Sequence, residues 1–170
     1  KDLPKVIDAM RQVHPYEEWT YVGATPAHYQ FSFGTTAGTL RGFTKADCLP
    51  FSAAQKWGWE KAEGLQEVRI EPADVSANCV ASSKPGTNKF NLLVERAGHY
   101  LATVRVGHPE FDIGPFNIQL NGKLAASAIQ VKRGETRTFV LPCEVDRADQ
   151  AIRLAFEGEG TWAIRSLVVH

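Results

Sequence analysis

The stretch FNIQLNGKLAASAIQV, residues 116–131, decides how the chain is read. Phe116, Ile118 and Leu120 alternate with Asn117 and Gln119, the period of two expected of a strand buried on one face. Asn121-Gly122 then supplies a tight hairpin turn, and KLAASAIQV reads as the returning strand. A hairpin with one apolar face needs a second layer to cover it.

The same alternation recurs on both sides of the hairpin. In KFNLLVE (89–95) Phe90, Leu92 and Val94 share a face, and in HYLATVRV (99–106) Tyr100, Ala102, Val104 and Val106 do. AIRLAF (151–156) sets Ile152, Leu154 and Phe156 against Arg153, and TWAIRSLVV (161–169) sets Trp162 and Ile164 against Arg165. Gly, Pro, Asn and Asp turns separate these runs, and from about residue 29 the chain is strand-like almost throughout. The expectation is an all-β fold, an antiparallel β-sandwich of jelly-roll type. Its core is expected to hold Tyr100, Val104, Phe116, Ile118, Leu154, Phe156 and Ile164.

Residues 4–13 (PKVIDAMRQV) differ in texture. Val6, Ile7, Met10 and Val13 gather on one helical face, Pro4 suits the first turn and Pro15 ends it, which predicts a short N-terminal helix. Thr25-Pro26-Ala27 reads as a linker. The expected organisation is therefore 1–28 as helix and linker belonging to a preceding domain, and 29–170 as the sandwich. The chain opens on Lys1, which fits a processed protein or a piece of a longer one.

Composition narrows the function classes. With 170 residues the chain is the size of one domain, and its 19 basic and 19 acidic side chains balance to zero net charge. No Lys/Arg-rich stripe exists to displace counterions from nucleic-acid phosphates or to hold an anionic membrane, so neither partner is expected. Cys48, Cys79 and Cys143 are widely spaced and lack zinc-site spacing, which favours buried thiols. No Gly-x-Ser-x-Gly elbow is present, and Ser82-Ser83 sits in a loop-like Ser-Ser-Lys-Pro-Gly run, so no catalytic residue is assigned. The histidines at 14, 28, 99, 108 and 170 show no helical zinc-pair spacing and read as solvated surface groups. Glu110 and Asp112 supply oxygens that suit calcium, and the turn between strands explains them equally well, so the metal is left unassigned.

Phe31-Ser32-Phe33-Gly34, Gly42-Phe43-Thr44 and Trp57-Gly58-Trp59 resemble the opening motifs of the galactose-binding-like β-sandwich domain appended to β-agarases and rhamnogalacturonan-type esterases. Gly98-His99-Tyr100 through Gly107, then Gln119-Leu120-Asn121-Gly122 and the close of the chain, are similar to the later motifs in the same order, over about residues 29–170. Ser32 and His108 stand where that family usually has Asp. A shorter likeness, IDAMRQVHPYEE to a segment of the GTP-cyclohydrolase-like dinuclear-metal family, lacks the other ligands and transfers no function.

The resemblance implies a non-catalytic carbohydrate-binding module of a polysaccharide-degrading enzyme. It implies a monomer attached to a catalytic domain, binding plant or algal polysaccharide in an extracellular or periplasmic, bacterial setting, with no cofactor beyond a structural calcium. The alternative is an accessory domain that buttresses its neighbour without binding sugar.

Two groups of residues suit sugar. Indole faces stack on pyranose rings, which points to Trp57 and Trp59, although their i, i+2 spacing in a strand also fits core packing. Arg105, Asn117, Gln119, Arg153 and Arg165 all oppose the apolar parity, and if their strands are neighbours they form one face of planar donors with a preference for uronates. The other reading of that face is an ordinary solvated sheet.

Overall fold

The computed structural model describes residues 28–34, 41–70, 76–147 and 149–170. The helix expected over 4–13 and the linker through Ala27 lie outside these residues.

Alternation produces strands wherever it was read. In chain order they are β1 (Tyr29–Ser32), β2 (Thr44–Lys45), β3 (Trp57–Trp59), β4 (Leu65–Val68), β5 (Cys79–Ser82), β6 (Gly86–Leu93), β7 (Gly98–Val106), β8 (Ile113–Leu120), β9 (Lys123–Val131), β10 (Arg137–Val145), β11 (Ala151–Gly158) and β12 (Ala163–Val169). One sheet runs β10-β7-β12-β1-β2, with β5 also on β12 and β4 on β5; the other runs β3-β6-β11-β8-β9. From β6 to β12 the chain passes repeatedly from one sheet to the other, so most paired strands are distant in sequence. The pairs are antiparallel except β1 with β2, a departure from the purely antiparallel expectation.

The β8–β9 hairpin turns at Asn121 and Gly122, both at positive φ (49° and 76°), as its sequence requires. The register of β9 on β8 then shifts, and the Asn117 carboxamide oxygen accepts the Ala128 N–H at 2.9 Å, fixing Ala128 at φ 50°. In β12 a register shift between Ile164 and Ser166 bulges Arg165 out of step with β7. β10 closes one edge of its sheet and carries Pro142 within it, opposite Leu101.

Apolar parity places Val104, Phe116, Ile118, Leu154, Phe156 and Ile164 in the core. Tyr100 is half-buried instead: its ring packs on the core margin and its hydroxyl donates to the Arg96 carbonyl at 2.7 Å. Aromatic rings stitch the layers, Phe31 and Phe33 lying 5.4 and 5.3 Å from Phe90 across the core. The cysteines are free thiols; burial pushes the Cys48 and Cys79 thiols up to about 12, so both stay protonated at neutral pH.

Candidate functional site

The two-sheet architecture divides the residues that the sequence grouped together. Trp59 has no exposed surface: its indole N–H donates to the Asp47 carbonyl at 2.9 Å and its ring packs on Phe33, Phe90 and Trp162. Trp57, two residues earlier, shares that inward parity and is half-buried against Phe31 and Phe90. Trp59 therefore offers no stacking face, and the i, i+2 spacing is that of core packing.

Arg105 and Arg165 lie in β7 and β12 of the first sheet, whereas Asn117, Gln119 and Arg153 lie in β8 and β11 of the second. The single arginine-rich face expected from strand parity does not form, because outward residues of opposite sheets point in opposite directions. Each of these side chains is also engaged locally. Arg165 Nε donates to the Gly107 carbonyl at 3.1 Å, and Arg105 stands between Thr138 and Ser166 in register. Arg153 forms a two-pronged pair with Asp149, one arm at 2.7 Å, which holds the aspartate below the usual carboxylate range. Asn117 is committed to Ala128.

Gln119 remains part of a site. On the outer face of the second sheet, Lys89, Ala155 and Gln119 lie side by side in β6, β11 and β8, with Thr87, Glu157 and Asn117 in the next row. The carbonyl of Lys89 takes the Glu60 N–H at 2.8 Å, which brings the chain after β3 beside this face. The result is a trough of about 470 Å³ lined by Glu60, Lys61, Thr87, Lys89, Gln119 and Glu157. The Gln119 amide donates to Glu157, and Lys89 faces Glu60 at 3.5 Å, so cations and carboxylates are matched. The volume lies in the range of about 300 to 1,000 Å³ usual for small-ligand clefts. Strand parity alone marks Lys89 and Glu157 as outward; that they meet Gln119 around one trough becomes visible only once β6 and β8 flank β11.

Two further features were missed in the sequence. Phe111, 64% exposed, tilts over the buried His108 with centroids 5.0 Å apart, and His108 Nδ1 accepts the N–H groups of Glu110 and Phe111. A cleft of about 630 Å³ opens between β9 and β10, where Leu124 and Val140 are exposed.

Asp112 is bound by groups of its own chain. Its carboxylate accepts Lys132 Nζ at 3.0 Å and the Arg133 N–H at 2.8 Å, and these bonds hold its pKa below the ordinary value. Among the described residues no three His, Cys, Asp or Glu side chains converge on a metal-binding arrangement. No helix among them is long and apolar enough to cross a membrane.

No family model matches the chain, and no curated protein matches it in sequence. Solved structures share its fold. Protein YXIM from Bacillus subtilis is similar at 19% identity and TM-score 0.63, over 83% of this chain and 39% of that one. The extracellular domain of ANXUR2 from Arabidopsis thaliana is similar at 14% identity and TM-score 0.59, over 84% of this chain and 48% of that one. The β-glucuronidase of Bacteroides uniformis is similar at 12% identity and TM-score 0.57, over 84% of this chain and 18% of that one. This chain thus spans less than half the length of each, and what it shares with them is the β-sandwich.

Proposed function

We propose that the chain is a non-catalytic carbohydrate-binding module, with the trough between Lys89 and Gln119 as its binding face. The observation that carries this reading is the lining of that trough: an amide, a hydroxyl, two ammonium and two carboxylate groups. A sugar hydroxyl both donates and accepts, so a surface that alternates the two kinds of partner suits a chain of hydroxyls better than it suits any single charge. Because Lys61 and Lys89 are matched by Glu60 and Glu157, neutral oligosaccharides fit it better than polyuronates. The occurrence of a similar sandwich within a β-glucuronidase supports a role beside carbohydrate-active enzymes. In this reading residues 1–28 lead from a preceding catalytic domain, outside the cell or in the periplasm, and the module raises the local concentration of plant or algal polysaccharide.

Affinity is expected to be weak, on the order of 10 μM to 1 mM, since protein–sugar hydrogen bonds replace sugar–water ones. Calorimetric titration with neutral agar or xylan oligosaccharides and with pectic or alginate oligouronates tests it. Binding that is lost in Lys89→Ala and Gln119→Ala supports the assignment; no heat with any of them at millimolar ligand removes it. The exposed Leu124 and Val140 in the β9–β10 cleft favour the second reading, a buttress for the attached domain. That reading gains if the oligosaccharides fail and Leu124→Ser weakens association with the rest of the protein.

A further inference from the structure

The cleft between β9 and β10 lies where the end strand of one sheet meets the end strand of the other. Asn121 crosses it, its carboxamide N–H donating to the Glu144 carbonyl at 3.2 Å. Leu124 and Val140 stand 62% and 50% exposed at this seam, and the buried Leu141, Val145 and Ala151 form part of its wall. An apolar seam of this kind gains free energy from whatever covers it. A cavity of about 570 Å³ adjoins the cleft, for Pro142, Cys143 and Glu144 line both. His28 lines that cavity too, so the chain that leads into β1 arrives beside the cleft. Val140 lies two residues, about 7 Å, along β10 from Pro142.

We infer that residues 4–13 of this chain, which lie outside the described ones, dock in the β9–β10 cleft as an amphipathic helix and cover Leu124 and Val140. The sequence PKVIDAMRQV gathers Val6, Ile7, Met10 and Val13 in one stripe. Its ten residues rise about 15 Å as a helix, and one so short is marginal in water unless its apolar face is buried. The stripe needs a partner and the cleft needs a cover. Charge agrees with the match. Asp149 pairs with Arg153, which leaves Glu144 and Asp146 against Lys123 at the cleft. Over residues 1–13 Lys1, Lys5 and Arg11 outnumber Asp2 and Asp8, and at about 100° per residue Arg11 borders the stripe while Asp8 falls on the far side. The connection is long enough, because residues 14–27 extend to at most about 50 Å and as a flexible chain average about 20 Å. A tether of that length sets an effective concentration in the millimolar range, so a weak contact suffices. The seated helix anchors the segment that precedes the sandwich to the side of β10. The trough lies on the outer face of the second sheet and takes no part in this contact.

Hydrogen–deuterium exchange on the 170-residue chain tests it. The amides of residues 8–13, those that a helix over 4–13 hydrogen-bonds, should exchange roughly tenfold or more slowly than in an unstructured chain, and dilution of the protein should not change this. Met10→Asp in the helix, and Leu124→Asp or Val140→Asp in the cleft, should each return these amides to the unprotected rate while β7 and β11 keep their protection. Leu124 and Val140 are exposed, and Met10→Asp leaves the sandwich's own sequence intact, so the test survives a cleft variant that fails to fold. Fast exchange over 8–13 in the parent chain overturns the proposal and leaves the cleft to an attached domain. Protection that survives both cleft variants also overturns it, since the helix then sits elsewhere. Protection that fades on dilution assigns the cleft to a second copy of the chain and overturns docking within one molecule. None of these readouts involves sugar, so they stand whatever becomes of the trough.

Discussion

The indole of Trp162 lies on the ring of Phe156, with centroids 4.5 Å apart and planes 17° from parallel. Phe156 belongs to β11 of the second sheet, and Trp162 immediately precedes β12 of the first, so this contact joins the two layers. Trp59 extends the stack, 5.5 Å from Trp162 on its own account.

Removing one end of that stack should be costly. Phe156 is fully buried, and Phe156→Ala is expected to lower stability by ~3 to 5 kcal/mol, the usual range for deleting a core aromatic ring. Urea unfolding reads it as a lower midpoint with an unchanged slope.

A backbone contact is equally unforgiving. Gly34 sits at φ +74°, and a Cβ there would fall 2.2 Å from the Cys79 carbonyl oxygen. Neither atom belongs to a side chain that can swing aside, so Gly34→Ala is expected to displace β5 or to prevent folding. The thermal midpoint, or the soluble yield where none can be measured, reports it. Gly42→Ala is the control, since its φ is +85° but nothing lies within 4 Å. It should cost only the ordinary penalty of that conformation, about 1 to 2 kcal/mol.

Acid should weaken the loop between β7 and β8. Burial holds the His108 pKa below its ordinary value, and the neutral ring is the form whose Nδ1 accepts two backbone N–H groups. The unfolded state therefore binds the proton first, and stability falls as pH drops below about 6.5 toward the lower folded-state pKa. Melting temperature measured from pH 8 to pH 5 should decline over that window. In His108→Asn, whose carboxamide oxygen accepts but does not titrate, the decline should be reduced.

The trough and the tryptophans make opposite predictions. Lys89 and Gln119 lie on the outer face, so replacing either by Ala should abolish oligosaccharide binding while shifting the melting temperature by little. Trp57→Ala should lower the melting temperature through its lost contacts with Phe31 and Phe90, with affinity unchanged wherever the protein remains folded. Paired calorimetry and thermal melts separate the two.

The strands, their inward faces and the Asn121-Gly122 turn were legible because each is a local property: alternation and turn chemistry need only neighbouring residues. The site was less legible because it depends on which strands lie together. Arg105 and Gln119 have the same outward parity in sequence, and nothing local tells that β7 and β8 belong to different sheets. Trp57 and Trp59 were ambiguous because an aromatic pair of the same parity suits a core as well as a platform. The adjoining Phe90, also inward, is what resolves it.

Pro142 in β10 has a consequence for how molecules of this protein meet one another. An end strand invites a foreign strand to continue the ladder, and a nine-residue one with Val140 exposed beside it would be a good template. Proline brings no N–H to that ladder, so an intruder finds a gap in the row of donors halfway along. On the function proposed above, clustering on a repetitive polymer would hold the chain at high local concentration. Its end strand carries its own guard against growth into fibres.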